Sequence, residues 1–212
     1  MKKGWLVVLE GIDGAGHSAH ASELARWAER ELADYRGRVV LTREPTDGPI
    51  GALIRSVLRK ELEVGPETLA LLFAADRMEH IRQVIRPRLA EGCLIICDRY
   101  YLSSYAYQSA AGVDLEWLMQ LNSRCPRPDL TVLLDAPVEV CLSRIREGRE
   151  HLELFEEADF LEEVRRRFLE IADRLEREGE RVVVVKTDRP FEEAHEEIVR
   201  HVVRLLASRG WE

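Results

Sequence analysis

The sequence predicts an α/β fold, a five-stranded parallel sheet with helices on both faces, formed as one domain over residues 1–212. Three observations carry this expectation. Five short apolar runs recur along the chain, at residues 5–9, 38–42, 93–97, 130–134 and 181–185. Segments with apolar residues at helical spacing lie between them, the alternation that builds a parallel sheet covered on both faces. The first run feeds straight into a glycine-rich turn, Glu10-Gly11-Ile12-Asp13-Gly14-Ala15-Gly16-His17-Ser18, with a helical pattern beyond it.

Gly11 and Gly16 stand at the spacing of a phosphate-binding loop, where the backbone curls so that its N–H groups and the next helix N-terminus converge on an anion. Ser18 falls where such loops place a hydroxyl for a magnesium ion, and His17 occupies the position that ordinarily carries lysine. Taken alone, the stretch reads equally well as a glycine-rich turn without a ligand. Residues 19–34 are expected to be helical, with Ala21, Leu24, Ala25, Ala28 and Leu32 at helical spacing. The second strand runs into Arg43-Glu44-Pro45, where proline ends regular structure. Ligands collect at the carboxyl ends of parallel strands, so Arg43 and Glu44 either face the loop or form a surface ion pair.

Helices are predicted over 50–60 and, after Gly65-Pro66, over 67–89; Phe73 on the second of these reads as core by default. The third strand is nearly continuous in apolar residues, as burial on both faces requires, and it ends at Asp98-Arg99-Tyr100. A carboxylate there suits a magnesium ion or its waters, and also an edge salt bridge with Arg99. Asp135 caps the fourth strand, and Pro137 opens a helix reaching 146. A last helix covers 191–206. Residues 147–159, rich in charge and poor in apolar periodicity, form a candidate mobile lid.

A net charge of −8 and a pI near 5.4 argue against a general nucleic-acid binder, so any anion site must be local. The lysines are Lys2, Lys3, Lys60 and Lys186, which leaves arginine, with its planar fork, to do most phosphate work. Cys93, Cys97, Cys125 and Cys141 lack paired ligand spacings and read as reduced core thiols; His17 and His20 lie three apart without a third ligand at suitable spacing. No stretch approaches a membrane span, and the five apolar residues after Gly4 are too few for a secretion signal, so a cytoplasmic protein is expected.

Several runs in fixed order carry a family resemblance: residues 10–16, Thr42-Arg43-Glu44-Pro45, Leu71-Leu72-Phe73-Ala74-Ala75-Asp76-Arg77, Asp98-Arg99-Tyr100 with Ser103, Ser104, Ala106, Tyr107 and Gln108, and Pro128-Asp129-Leu130-Thr131. The chain resembles the thymidylate kinases, P-loop nucleoside monophosphate kinases that phosphorylate dTMP. The resemblance implies that Gly11, Ile12, Asp13, Gly14, Ala15, Gly16, His17 and Ser18 hold the phosphates of ATP, with Ser18 and Asp98 in the shell of Mg2+. It implies a dTMP site in which Phe73 stacks on thymine, Arg77 bonds its edge, Tyr107 packs on the sugar, Gln108 and Ser104 lie close by and Arg99 holds the phosphate. Asp13 would lie near the sugar 3′-hydroxyl and Glu44 near the reacting phosphates, and a homodimer is expected. Gly14 stands where one arrangement of the family carries its catalytic arginine, so the lid should supply it from Arg144, Arg146 or Arg149. Two expected cations are histidines here, His17 in the loop and His151 in the lid, which motivates an alternative: a nucleotide-binding relative that keeps the dTMP pocket but transfers phosphate poorly.

Overall fold

A computed structural model of the chain describes residues 4–148 and 157–208. Each apolar run becomes a strand to within a residue: β1 Trp5–Glu10, β2 Val39–Arg43, β3 Leu94–Asp98, β4 Leu130–Asp135 and β5 Val182–Lys186. They form one parallel sheet in the order β2-β3-β1-β4-β5. The three central strands are buried along their whole length, which is why they contain almost no polar residue before their last position. The edge strands β2 and β5 are partly exposed, at Leu41 and Val184 for example. Because β1 is central, its carboxyl end opens between Asp98 of β3 and Leu133 of β4, where the chain changes direction across the sheet.

The helices are α1 His17–Glu31, α2 Pro49–Leu58, α3 Pro66–His80, α4 Arg86–Ala90, α5 Tyr101–Ala110, α6 Leu115–Leu121, α7 Val138–Gly148, α8 Ala158–Arg177 and α9 Phe191–Ala207. The segment expected as one helix over 67–89 is continuous but passes through a π turn, Ile81–Ile85, before α4. Pro87 explains the widening: its ring and missing N–H do not fit a regular helix, and a π turn relieves both. Three helices, α5, α6 and α8, come in addition to those read from the sequence. The lid candidate 147–159 is helical at both ends, in α7 and α8, and its residues 149–156, with Arg149 and His151, lie outside the described residues. Among the described residues no helix is long and apolar enough to cross a membrane.

Candidate active site

The loop between β1 and α1 folds as its glycines require. Gly14 has φ 82°, and a Cβ built there would lie 2.3 Å from the Cys141 carbonyl oxygen on α7, so no side chain fits. An arginine at this position is therefore sterically impossible while α7 stays in place. Gly16, also left-handed at φ 97°, turns the chain into α1, whose first residue is His17.

The end of β3 is held by a residue the sequence did not single out. Glu10, buried at the end of β1, accepts the Tyr100 N–H at 2.9 Å and bonds the N–H and hydroxyl of Ser103. This fastens the start of α5 and keeps Arg99 in the left-handed region, φ 68°, with its side chain turned over the loop. Burial pushes the Glu10 carboxyl above its ordinary range, against the opposing pull of Ser103 and Arg99.

Arg99 spends both N–H bonds of each terminal nitrogen on the protein. Nη1 donates to the Gly11 carbonyl at 3.0 Å and to Ser103 Oγ at 2.9 Å; Nη2 donates to Asp13 Oδ1 at 2.7 Å and to His17 Nε2 at 2.9 Å. The guanidinium lies over the Tyr107 ring at 5.3 Å, and the Tyr107 hydroxyl accepts the Asp13 N–H and donates to Asp13 Oδ2, both at 3.0 Å. Arg99 donates only, so Nε2 of His17 accepts and its proton sits on Nδ1, which donates to Asp98 Oδ1 at 2.6 Å. The second Asp98 oxygen takes the Ser18 hydroxyl at 2.5 Å. Burial works against charge on Asp98, but His17, Ser18 and Arg99 outweigh it and hold the carboxyl below its ordinary range. In the same way Asp13 loses solvation, yet Arg99 and Tyr107 keep it lowered. A hydroxyl and a carboxylate at the loop are hard oxygen donors, and they fit magnesium, which completes its shell with water and phosphate oxygens.

On the far side of Arg99 a cavity of about 280 Å³ runs to Phe73, Arg77, Ser104 and Gln108. Phe73 is half-buried at its wall, packed beside the small cluster Ile54, Val57 and Leu69. Arg77 is buried and mostly committed to the protein: Nε to Glu44 Oε2 at 2.7 Å, Nη1 to Asn122 Oδ1 at 2.6 Å, and Nη2 to the Tyr100 carbonyl and Ser104 Oγ. One N–H of Nη1 has no partner among the described residues. Glu44 is held in turn by His80 Nδ1 at 2.9 Å, whose Nε2 meets Thr42 Oγ1 at 2.7 Å. Glu44 thus orients Arg77 from beneath, while Arg43 beside it is exposed and paired with Asp47. Gln108 is 2% exposed, and neither end of its carboxamide has a partner among the described residues.

Of the cations proposed for the lid, Arg144 is tied back to the Gly14 and Thr187 carbonyls, at 3.3 and 2.6 Å, and steadies the loop. Arg146 is exposed on α7. Glu10, Asn122 and His80 are the positioning residues that sequence reasoning missed; the site partners they hold lie 36 or more residues away, and nothing local marks these pairings.

The family model described as thymidylate kinase matches residues 9–198. The chain belongs to the thymidylate kinase family. A probable thymidylate kinase from Pyrococcus horikoshii is 46% identical over 176 residues, 81% of this chain and 84% of the relative. One from Pyrococcus abyssi is 43% identical over 202 residues, covering 93% and 95%. Among solved structures, thymidylate kinase from Ehrlichia chaffeensis superposes with a TM-score of 0.75 at 26% identity, covering 94% of this chain and 99% of that one. The α/β sheet, its helices and the phosphate loop of this chain are those of a thymidylate kinase.

Proposed function

We propose that this thymidylate kinase transfers the terminal phosphoryl group of ATP to dTMP, giving dTDP, in a single domain with residues 147–159 as its lid segment. The observation that carries the acceptor reading is Gln108: a buried carboxamide with both ends unpartnered is costly, and the polar edge of a base in the 280 Å³ cavity would satisfy it. Phe73 offers the base a ring face, and Arg77, fixed by Glu44 and Asn122, offers one remaining N–H to its edge. Tyr107 closes the sugar side and, with Arg99, sets the Asp13 carboxylate near the acceptor hydroxyls. Arg99 supplies the charge for the acceptor phosphate and reaches it by giving up one of its internal acceptors.

The donor phosphates lie along the loop of Gly11, Ile12, Asp13, Gly14, Ala15 and Gly16, at the amino end of α1, where the Asp13 and Ala15 N–H groups are already given to Tyr107 and to the Ile12 carbonyl. Ser18 and Asp98 are the residues that would hold magnesium, which when bound draws charge off the phosphate oxygens. Phosphoryl transfer needs positioning and charge more than covalent help, and Arg146 and Arg149 are the cations left to supply it from the lid. Steady-state turnover of dTMP with ATP and magnesium, beside a calorimetric dTMP titration, tests the assignment. Turnover at about 1–100 per second supports it; tight dTMP binding without turnover selects the phosphate-poor relative, whose motive is His17.

A homodimer and a cytoplasmic location belong to the same proposal. Leu71 and Met78 on α3 are exposed apolar residues suited to a symmetric contact, and Cys93, Cys97, Cys125 and Cys141 are all free thiols.

A further inference from the structure

We propose that His17 ties the metal-side carboxylate Asp98 to the acceptor arginine Arg99, so that magnesium and a phosphorylated acceptor bind cooperatively to the free enzyme. The inference rests on the acceptor reading of Arg99 given above. Its basis is one unbroken chain of hydrogen bonds: Ser18 Oγ to Asp98 Oδ2, Asp98 Oδ1 to His17 Nδ1, His17 Nε2 to Arg99 Nη2.

Each link has a reason. Arg99 has no free N–H on either terminal nitrogen, so a phosphate oxygen gains a contact there only by displacing an internal acceptor. Gly11 contributes a backbone carbonyl fixed by the loop, Ser103 is fastened by Glu10, and Asp13 is a charged partner. The neutral ring nitrogen of His17 is the partner most readily surrendered. What holds that ring in place is its other nitrogen on Asp98. A carboxylate that also serves a divalent cation accepts a hydrogen bond less strongly, so His17 loosens and Arg99 gains a donor for the acceptor phosphate. Coupling of this kind is reciprocal: the acceptor strengthens magnesium binding by the same factor. A lysine at position 17 carries only donors and cannot accept from Arg99, so the relay belongs to the histidine.

The test is calorimetric titration of dTMP into the full chain without ATP, in magnesium chloride and in EDTA. The parent should bind dTMP about 10-fold tighter with magnesium, within the range usual for such coupling. Thymidine, which lacks the phosphate, should show no magnesium effect. His17→Ala should bind dTMP with less than about a 2-fold difference between the two buffers, and His17→Gln, whose amide accepts from Arg99 and donates to Asp98, should restore the dependence. An equal magnesium effect in the parent and His17→Ala, or a matching effect on thymidine, would overturn the relay while leaving the dTMP site intact. No dTMP binding by the parent in either buffer would instead remove the acceptor reading, and the relay with it.

Discussion

At the scale of single residues, one imidazole bridges two charged groups: His17 donates to Asp98 from Nδ1 and accepts from Arg99 at Nε2. The loop glycines, Ser18, Asp98 and Arg99 stand out by their order and spacing, and the structure gathers them at the end of β1. His17 was legible as a departure from lysine, but its direction was not, since its partners Asp98 and Arg99 lie more than 80 positions away. Phe73 shows the same limit: its spacing on α3 fits core or site, and the structure sets it between the Ile54, Val57 and Leu69 cluster and the 280 Å³ cavity. Phe73→Ala should weaken dTMP binding by roughly 1–3 kcal/mol, the worth of a base stack, and leave ATP binding within about 2-fold. Isothermal titration of each nucleotide decides it, and equal losses for both would return Phe73 to the core. Gly14→Ala should do something different. Its methyl group meets the Cys141 carbonyl, so α7 must shift and the loop with it. The expected result is a loss of about 2 kcal/mol or more in chemical unfolding, together with loss of turnover.

At the scale of elements, the three central strands were read almost to the residue because burial on both faces leaves nearly all their side chains apolar. α5 escaped for the same reason. Buried around most of its circumference, from Tyr101 to Ser109, it carries hydroxyls turned inward to the site and shows no polar stripe. α1 hides a further feature, the flat stack of His20 on Phe191 at 4.1 Å with His195 beyond, which joins α1 to α9. His20 is 2% exposed, and burial first, then His195 and Arg144, depress its pKa to about 4. An unfolded histidine titrates near 6.5, so below that pH the unfolded chain binds a proton that the folded chain refuses. The stack therefore stabilises fully above about pH 6.5, and the contribution drains away as pH falls toward 4. His195, lowered by burial as well, acts in the same direction. Thermal melts from pH 7.5 to 5 should show a decline worth on the order of 2 kcal/mol. His20→Gln should flatten that decline, and an unchanged slope would mean that the stack opens to admit the proton.

For the whole molecule, the decisive element is α3, which presents two faces. Side chains advance about 100° per residue on a helix, so Phe73 and Arg77 share one side while Leu71 and Met78, seven apart, share the opposite one. The first side walls the 280 Å³ cavity proposed for the acceptor. On the second, Leu71 is 48% and Met78 37% exposed, and Leu53 on the neighbouring α2 is exposed as well. Scattered apolar residues on a surface need no explanation, but three on packed neighbouring helices are the face we propose for the dimer, where a two-fold axis would let each copy cover the other. A stable pair of this kind removes roughly 800 Å² from water on each partner. Sedimentation velocity should therefore find the parent as a dimer at micromolar concentration, and Leu71→Glu with Met78→Glu as a monomer, because the charge cannot be buried there unpaired. The helix that carries these residues also carries Phe73 and Arg77, so loss of the partner should loosen the acceptor wall: the KM for dTMP rises several-fold while the KM for ATP stays within about 2-fold. A monomeric parent would refute the dimer, and a dimer that survives both substitutions would place its contact on another face.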